Sequence, residues 1–361
     1  MWSSPRVEFL LGASCRQKKV LVLGLLTSLK EGKYHLEDDT GHIELDLSNA
    51  SFHSGLFTVN CFVLVEGCYE DNVLHAEAVG LPPPELPAVT RERMSMKNEN
   101  YFGGSARKNV KTDPQLHQLE KENGEAMFVV LSDVWLDKLE VMEKLRVLFS
   151  GYAQVPPTAF ILCGNFFSEW QSRKKLEEMQ KAFTALGNLI AEFPDLAANT
   201  RFIFVPGPSD PGPSTIFPRP PLPRCVTEPL RKKVRSAVFA TNPCRLVYCT
   251  QEMVVLREDL VGKMCRNSVH FPQDCDLAPH VARTIVNQCH LAPLPLHTVP
   301  VYWNFDHCMS LYPTPDVIII ADKDKAFSTT HSGTTVFNPG SFFSSESPFK
   351  VYFPSARRQG V

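Results

Sequence analysis

From Lys19 to Gly80 apolar and polar positions alternate in short runs broken by turn residues. "VLVLGLLTSL" runs to a turn at Glu31-Gly32, and "KYHLED" to a turn at Thr40-Gly41. "HIELDL" alternates at period two, the mark of a half-buried strand. "CFVLVEGCYED" and "NVLHAEAVG" complete a meander. Five short strands within about 60 residues predict a small closed barrel of the OB type. Its expected span is residues 19–81, after a lead-in segment at 1–18.

Residues 82–126 break that pattern. The prolines of "LPPPELPAV" lack the donors a strand ladder needs. "TRERMSMKNEN" and "FGGSARKNVKTD" are polar and predict a mobile loop or linker, with a short charged helix at "PQLHQLEKENGEA". From Met127 onward the period changes. "MFVVLSD", "AFILCGN" and "RFIFVPG" are continuous apolar runs. Helical spacing fills the gaps between them, at "WLDKLEVMEKLRVLFSGY" and "SRKKLEEMQKAFTALGNLIAEF". Such strands predict an α/β sheet buried on both faces. "CRLVYC", "EMVVLRE", "DVIIIAD" and "TTVFNPGSF" follow with few helical patterns, which predicts a second sheet stacked on the first. Residues 127–361 therefore read as one two-sheet α/β sandwich domain.

Composition narrows the chemistry only a little. The chain has 361 residues, 43% hydrophobic and 21% charged, as in ordinary globular proteins. A formal net charge of −2 gives no global attraction for nucleic-acid phosphates. No apolar run approaches the ~20 residues of a membrane span, and "VLVLGLL" lacks the flanks of a signal peptide. The 11 cysteines are an odd number without a CxxC pair, which favours reduced thiols in a cytosolic or nuclear protein. His270, Cys275, His280, Cys289 and His290 match no zinc spacing, so they read as scattered core and surface residues. The barrel strands carry Glu37, Asp38, Asp39, Glu44 and Asp46, which speaks against single-strand binding through phosphates. Arg231, Lys232, Lys233 and Arg235 read as a solvated helix face, the other reading being a localisation signal or phosphate patch. The proline-rich loop from Gly207 to Arg224 is expected to be exposed and fit for partner contact.

Candidate chemistry sits at strand ends. Three successive strands end in Ser132-Asp133-Val134-Trp135, Gly164-Asn165-Phe166-Phe167-Ser168 and Gly207-Pro208-Ser209-Asp210. The late strand "DVIIIAD" ends in Ala321-Asp322-Lys323-Asp324, followed by Asn338-Pro339-Gly340-Ser341. This frame resembles the calcineurin-like metallophosphoesterases, which carry D-x-H, G-D-x-x-D, G-N-H-D/E, G-H-x-H and often N-P-G-S there. The resemblance implies two metals, and two-metal chemistry needs converging carboxylates and imidazoles. Most of those are replaced. Trp135 stands for a histidine, Asn165 for the bridging aspartate and Ser168 for a second aspartate. Pro208 and Ser209 stand for the Asn-His pair, and Asp322 and Asp324 for two histidines. Asp133 keeps the family's first carboxylate. With Asp210, Asp322 and Asp324 it leaves four carboxylates, either an all-oxygen cation site or turn and cap residues. No catalytic residue, metal or cofactor is expected.

A barrel followed by a ligand-stripped phosphoesterase domain resembles the B, or regulatory, subunits of eukaryotic replicative DNA polymerases. "VNQCHLAPLPLHTVPVYWNFDHCMSLYPTPDVIIIAD" is similar to that family's late core. The resemblance implies a non-catalytic nuclear scaffold that grips the C-terminal metal-binding region of a polymerase's large subunit. It also implies links to replisome helicase components and small histone-fold polymerase subunits, with DNA met weakly or indirectly and no membrane. The family member it resembles carries a helical domain ahead of the barrel, whereas this chain starts almost at the barrel; either that domain has been lost or this is a shortened form, which puts the contacts of such a domain in doubt. Trp303 and Phe305, in proline-stiffened "LAPLPLHTVPVYWNF", are candidate partner anchors or else core rings. The competing classes are a metallophosphoesterase with a remodelled metal site and a free single-strand-binding OB protein. The missing ligands speak against the first and the acidic barrel against the second.

Overall fold

The computed structural model describes residues 7–13, 19–30, 32–97, 110–169, 175–212, 215–273 and 276–360. Strands Val20–Lys30, Lys33–Asp38, Gly41–Asp46, Val73–Gly80 and Phe62–Glu70 pair in that order. Phe62–Glu70 then pairs back on Val20–Lys30, which closes the five-stranded barrel expected from the alternation. Val22, Leu26, Leu36, Val63, Val65 and Leu74 point into its core. Gly67 sits at an irregularity between Phe62–Glu70 and Val73–Gly80. A Cβ there would lie 2.1 Å from the His75 carbonyl oxygen, so the strands cross too closely for any side chain.

The remainder is a sandwich of two sheets, as the apolar runs predict. One has the order Ala237–Phe239, Arg201–Val205, Ala159–Cys163, Phe128–Leu131, Lys350–Phe353, Arg358–Gly360. The other runs Cys244–Tyr248, Gln251–Arg257, Val317–Ala321, Thr334–Asn338, Phe327–His331. Alternate residues of one strand serve two cores. Phe128, Val130, Ile161 and Ile203 face Met253, Val255, Val317 and Ile319 of the second sheet. Val129, Leu131, Phe160, Phe202 and Phe204 face the helices Leu139–Tyr152, Lys175–Ala191 and Arg224–Lys233. That double burial is why these strands read as unbroken apolar runs.

Several expectations need correction. The first helix of this domain starts at Leu139, not Trp135. Residues 134–137 instead turn beneath it, with the Lys138 N–H bonded to the Trp135 carbonyl at 3.1 Å. The second half holds more helix than expected. Leu260–Arg266 and Leu277–Gln288 cover the outer face of the second sheet. "TRERMSMK" lies in a helix, Pro87–Lys97, rather than a mobile loop. Arg91 of that helix bonds Glu252 Oε2 through Nε at 3.1 Å and the Thr314 carbonyl at 2.8 Å. The expected charged helix is present as Pro114–Glu122, capped by Asp113. "FGGSARKN" lies outside the described residues. The proline-rich loop is not simply exposed either, because Phe217, Arg219 and Leu222 are buried.

The barrel is bolted to the sandwich through helix Leu277–Gln288. Gly55 N–H donates to His280 Nδ1 at 2.9 Å and Leu56 N–H to Thr284 Oγ1 at 2.8 Å. Phe57–Thr58 pairs with Ser268–His270, and Phe52 stacks on His270 with centroids 4.3 Å apart. Buried polar groups with partners on both sides fix one geometry for the joint.

Candidate functional site

The strand ends do converge, and the residue that joins them is Arg257. It closes strand Gln251–Arg257, opposite Ala321 in the parallel partner Val317–Ala321. A charged residue after four buried apolar ones has to bring its partners with it. Nη2 of Arg257 lies 2.6 Å from Asp133 Oδ1 and Nη1 lies 2.9 Å from Asp259 Oδ1. Nε donates to the Gly164 carbonyl. The side chain is 1% exposed. Burial alone would lower the Arg257 pKa, but the Asp133 and Asp259 carboxylates override it and hold it above its usual value. Lys323 adds a contact to Asp259 at 3.2 Å. Beside this, Arg219 meets Glu258 at 2.6 Å and Lys263 meets the same carboxylate at 3.2 Å.

The other strand-end residues are consumed by local bonding. Asp133 adopts a left-handed backbone, φ 54°, which aspartate tolerates better than most residues. Trp135 stacks on Phe343 with ring centroids 4.2 Å apart. The Asn165 side-chain oxygen accepts the Ser209 N–H at 2.8 Å, so the amide ties two loops together. Pro208 sits half-buried in the turn between them. Ser168 bonds Asp137 through its N–H at 2.9 Å and its hydroxyl at 2.5 Å. Asp210 accepts the Phe166 and Gly207 N–H groups, each at 2.7 Å. Gly164 makes that possible, since a Cβ there would meet Asp210 Oδ2 at 1.9 Å. Burial pushes the Asp210 carboxyl up to about 6 despite those bonds.

Asp322 is fully buried and accepts the Val261 N–H at 2.8 Å and the Asp324 N–H at 3.0 Å. Burial raises it to about 6 as well. Asp324 is exposed. Asn338 locks this corner, its oxygen accepting from Asp322 at 3.1 Å and from Gly340 at 2.9 Å.

The two-metal chemistry implied by the phosphoesterase frame does not fit these residues. A guanidinium already takes Asp133, and a divalent cation would face that fixed positive charge. Asp210 and Asp322 spend both oxygens on backbone N–H groups. Among the described residues no group of three or more His, Cys, Asp or Glu is placed to hold a metal ion. That includes His270, His280, Cys289 and His290, whereas Cys275 lies outside the described residues. Sequence reading missed Arg257, Asp259, Arg219 and Glu258. The available signal was "VVLRED", a charged triplet at the end of a buried strand.

Elsewhere, Tyr302, Trp303 and Phe305 lie on the surface around a 3-10 turn, Trp303–Met309, with Trp303 79% and Phe305 53% exposed. The alternative that both rings belong to the core is therefore wrong. In the basic run, Arg231 covers the Phe239 ring at 4.3 Å and Lys233 reaches Asn188. Lys232 is exposed on helix Arg224–Lys233, 3.9 Å from Glu228.

A family model for the B subunits of DNA polymerases alpha and epsilon matches residues 128–329. A second, "DNA polymerase epsilon subunit 2-like, OB-fold domain", matches residues 5–83. The chain is 50% identical over 352 residues to DNA polymerase epsilon subunit 2 of Mus musculus, covering 97% of this chain. It is 51% identical over 350 residues to the Homo sapiens protein of that name, again across 97% of this chain. The chain spans 66% of the length of each of these relatives. Among solved structures, an archaeal phosphodiesterase is 12% identical with a TM-score of 0.34, covering 65% of this chain and 97% of its own.

Proposed function

This chain belongs to the family of B subunits of DNA polymerases alpha and epsilon, and from that premise we propose that it is a non-catalytic accessory subunit of DNA polymerase epsilon. In this reading it is a nuclear scaffold for the catalytic subunit in chromosomal replication. Its partner is that subunit's C-terminal metal-binding region, with replisome helicase components and small histone-fold subunits further out. The observation that carries the reading is the Arg257 guanidinium bonded to Asp133 and Asp259, where a phosphoesterase would gather metal ligands. A rigid body whose site is closed by its own side chain is suited to binding through its surface. The exposed aromatics Tyr302, Trp303 and Phe305 support this, since desolvated aromatic anchors often dominate interfaces.

The deciding experiment is co-purification of the chain with the C-terminal region of the catalytic subunit. A stable 1:1 complex is expected from size-exclusion chromatography with light scattering. If the folded chain and that region elute separately at micromolar concentration, the scaffold reading fails.

A further inference from the structure

The barrel carries a groove of about 330 Å³, bounded by Phe9, by strand Val20–Lys30 and by the end of strand Lys33–Asp38. Phe9, Leu23 and Phe62 line it, and Phe9 is 67% and Phe62 51% exposed. Gln288 clamps the Phe62 backbone from helix Leu277–Gln288. Its side-chain oxygen accepts the Phe62 N–H at 2.7 Å and its amide donates to the Phe62 carbonyl at 2.8 Å. The backbone that presents the ring is thereby fixed, which lowers the ordering cost of binding.

The rim has one sign of charge. Glu37, Asp38 and Asp39 edge the groove, and among the described residues no Lys or Arg lines it. Burial would raise the Asp38 carboxyl, but the N–H groups of Leu10, Thr40 and Gly41 and the Thr40 hydroxyl together hold it below its usual value. It therefore stays ionised at neutral pH. Asp39 is exposed beside it.

We infer that this groove docks a peptide segment of a partner protein in which Lys or Arg flanks aromatic or aliphatic side chains. The apolar floor rewards burial of such side chains, because it removes their apolar surface from water. The carboxylate rim attracts the flanking cations and steers their approach. The same rim repels phosphates, so this barrel face selects peptide over the single strands that many OB barrels bind. Neither Trp303 nor Phe305 lines the groove, and its role stands or falls independently of the scaffold role.

The test titrates the full chain against three fluorescent peptides by anisotropy. One alternates Lys with Leu and Phe, the second replaces Lys by Glu, and the third replaces Leu and Phe by Ser. The first is expected to bind, and the other two to bind at least about tenfold more weakly. Phe9→Ser with Phe62→Ser should weaken the first peptide about tenfold, and Asp39→Lys should weaken it similarly, since losses of this size are common when an interface anchor is truncated. Neither variant should move the thermal midpoint, because the replaced side chains are largely exposed.

Absence of binding by the first peptide, equal binding of the acidic peptide or unchanged binding by both variants overturns the inference. So does an oligo-dT strand that binds more tightly than the peptide and is lost with Phe62→Ser. A chain lacking residues 1–6 completes the set. If the peptide binds only after that deletion, the occupant is the chain's own N-terminal segment and the partner proposal is wrong.

Discussion

Arg257 Nη2 lies 2.6 Å from Asp133 Oδ1, a contact between residues 124 positions apart in the chain. It joins the two sheets at their strand ends and places a permanent cation between the Asp133 and Asp259 carboxylates. Removing one member of a buried pair leaves the other charge without compensation. Arg257→Ala is therefore expected to destabilise the chain by about 3–5 kcal/mol in urea unfolding. Arg257→Lys should recover only part, because one ammonium cannot span Asp133, Asp259 and the Gly164 carbonyl. A loss below about 1 kcal/mol would place this pair among exposed bridges in energetic worth and defeat the argument.

The same occupancy bears on chemistry. With millimolar manganese, the purified chain should hydrolyse bis(p-nitrophenyl) phosphate no faster than a metal-only control. Hydrolysis that depends on manganese and disappears in Asp133→Ala would show that the guanidinium yields to metal after all.

Asp322 gives a pH prediction whose sign follows from burial. Its carboxyl is raised from 3.8 to about 6 in the folded chain. The folded state thus holds this proton more tightly than the unfolded state does. The stabilisation is complete below pH ~4 and is lost as pH rises through 6, by about 3 kcal/mol. The urea midpoint should fall less steeply between pH 4 and 6.5 in Asp322→Asn than in the parent. Asp210, also raised to about 6, keeps part of the slope in that variant. Parallel curves for the two proteins would refute the assignment.

Much of the fold was legible because its signals are local. Period-two alternation marked the barrel, and unbroken apolar runs marked strands with two buried faces. The strand ends were legible too, since Asp133, Asn165, Asp210 and Asp322 each follow an apolar strand in order along the chain. Their bonding was not. Arg257 and Asp133 meet only after the sheets stack, and Arg219 finds Glu258 across 39 positions. Helix Pro87–Lys97 escaped notice because "TRERMSMK" has no apolar stripe to advertise a buried face. Arg91 is anchored there by Glu252, 161 positions away, and periodicity carries no trace of such a tether.

A second tether, to the neighbouring residues Thr250 and Gln251, holds Glu120 on helix Pro114–Glu122. Glu120 is 7% exposed and accepts from Thr250 N–H at 3.1 Å, from the Thr250 hydroxyl and from Gln251 Nε2 at 2.9 Å. Glu120→Ala strands those donors, and hydrogen bonds to a charged group are worth ~1.5–3 kcal/mol each before relaxation. A net loss of about 2 kcal/mol is expected, with faster protease cleavage at residues 110–126. Unchanged cleavage would mean that the helix is held by other contacts.

The exposed aromatic turn supplies the prediction that most directly separates binding from folding. Trp303 and Phe305 contribute little to any core, since Trp303 is 79% exposed. Surface truncations of that kind usually change stability by under about 0.5 kcal/mol. If the turn anchors the catalytic subunit, the same truncations remove large amphipathic rings from an interface centre, where losses of about 2 kcal/mol or more are common. Trp303→Ala with Phe305→Ala should therefore leave the urea midpoint in place. The same pair should weaken capture of the catalytic subunit's C-terminal region at least about thirtyfold, the equivalent of ~2 kcal/mol. Isothermal titration at several temperatures measures both the affinity and the heat-capacity change, and the variant should bury less apolar surface on binding. Full affinity in the double variant would move the interface elsewhere on the sandwich. A drop in the urea midpoint matching the lost affinity would return the two rings to a structural role.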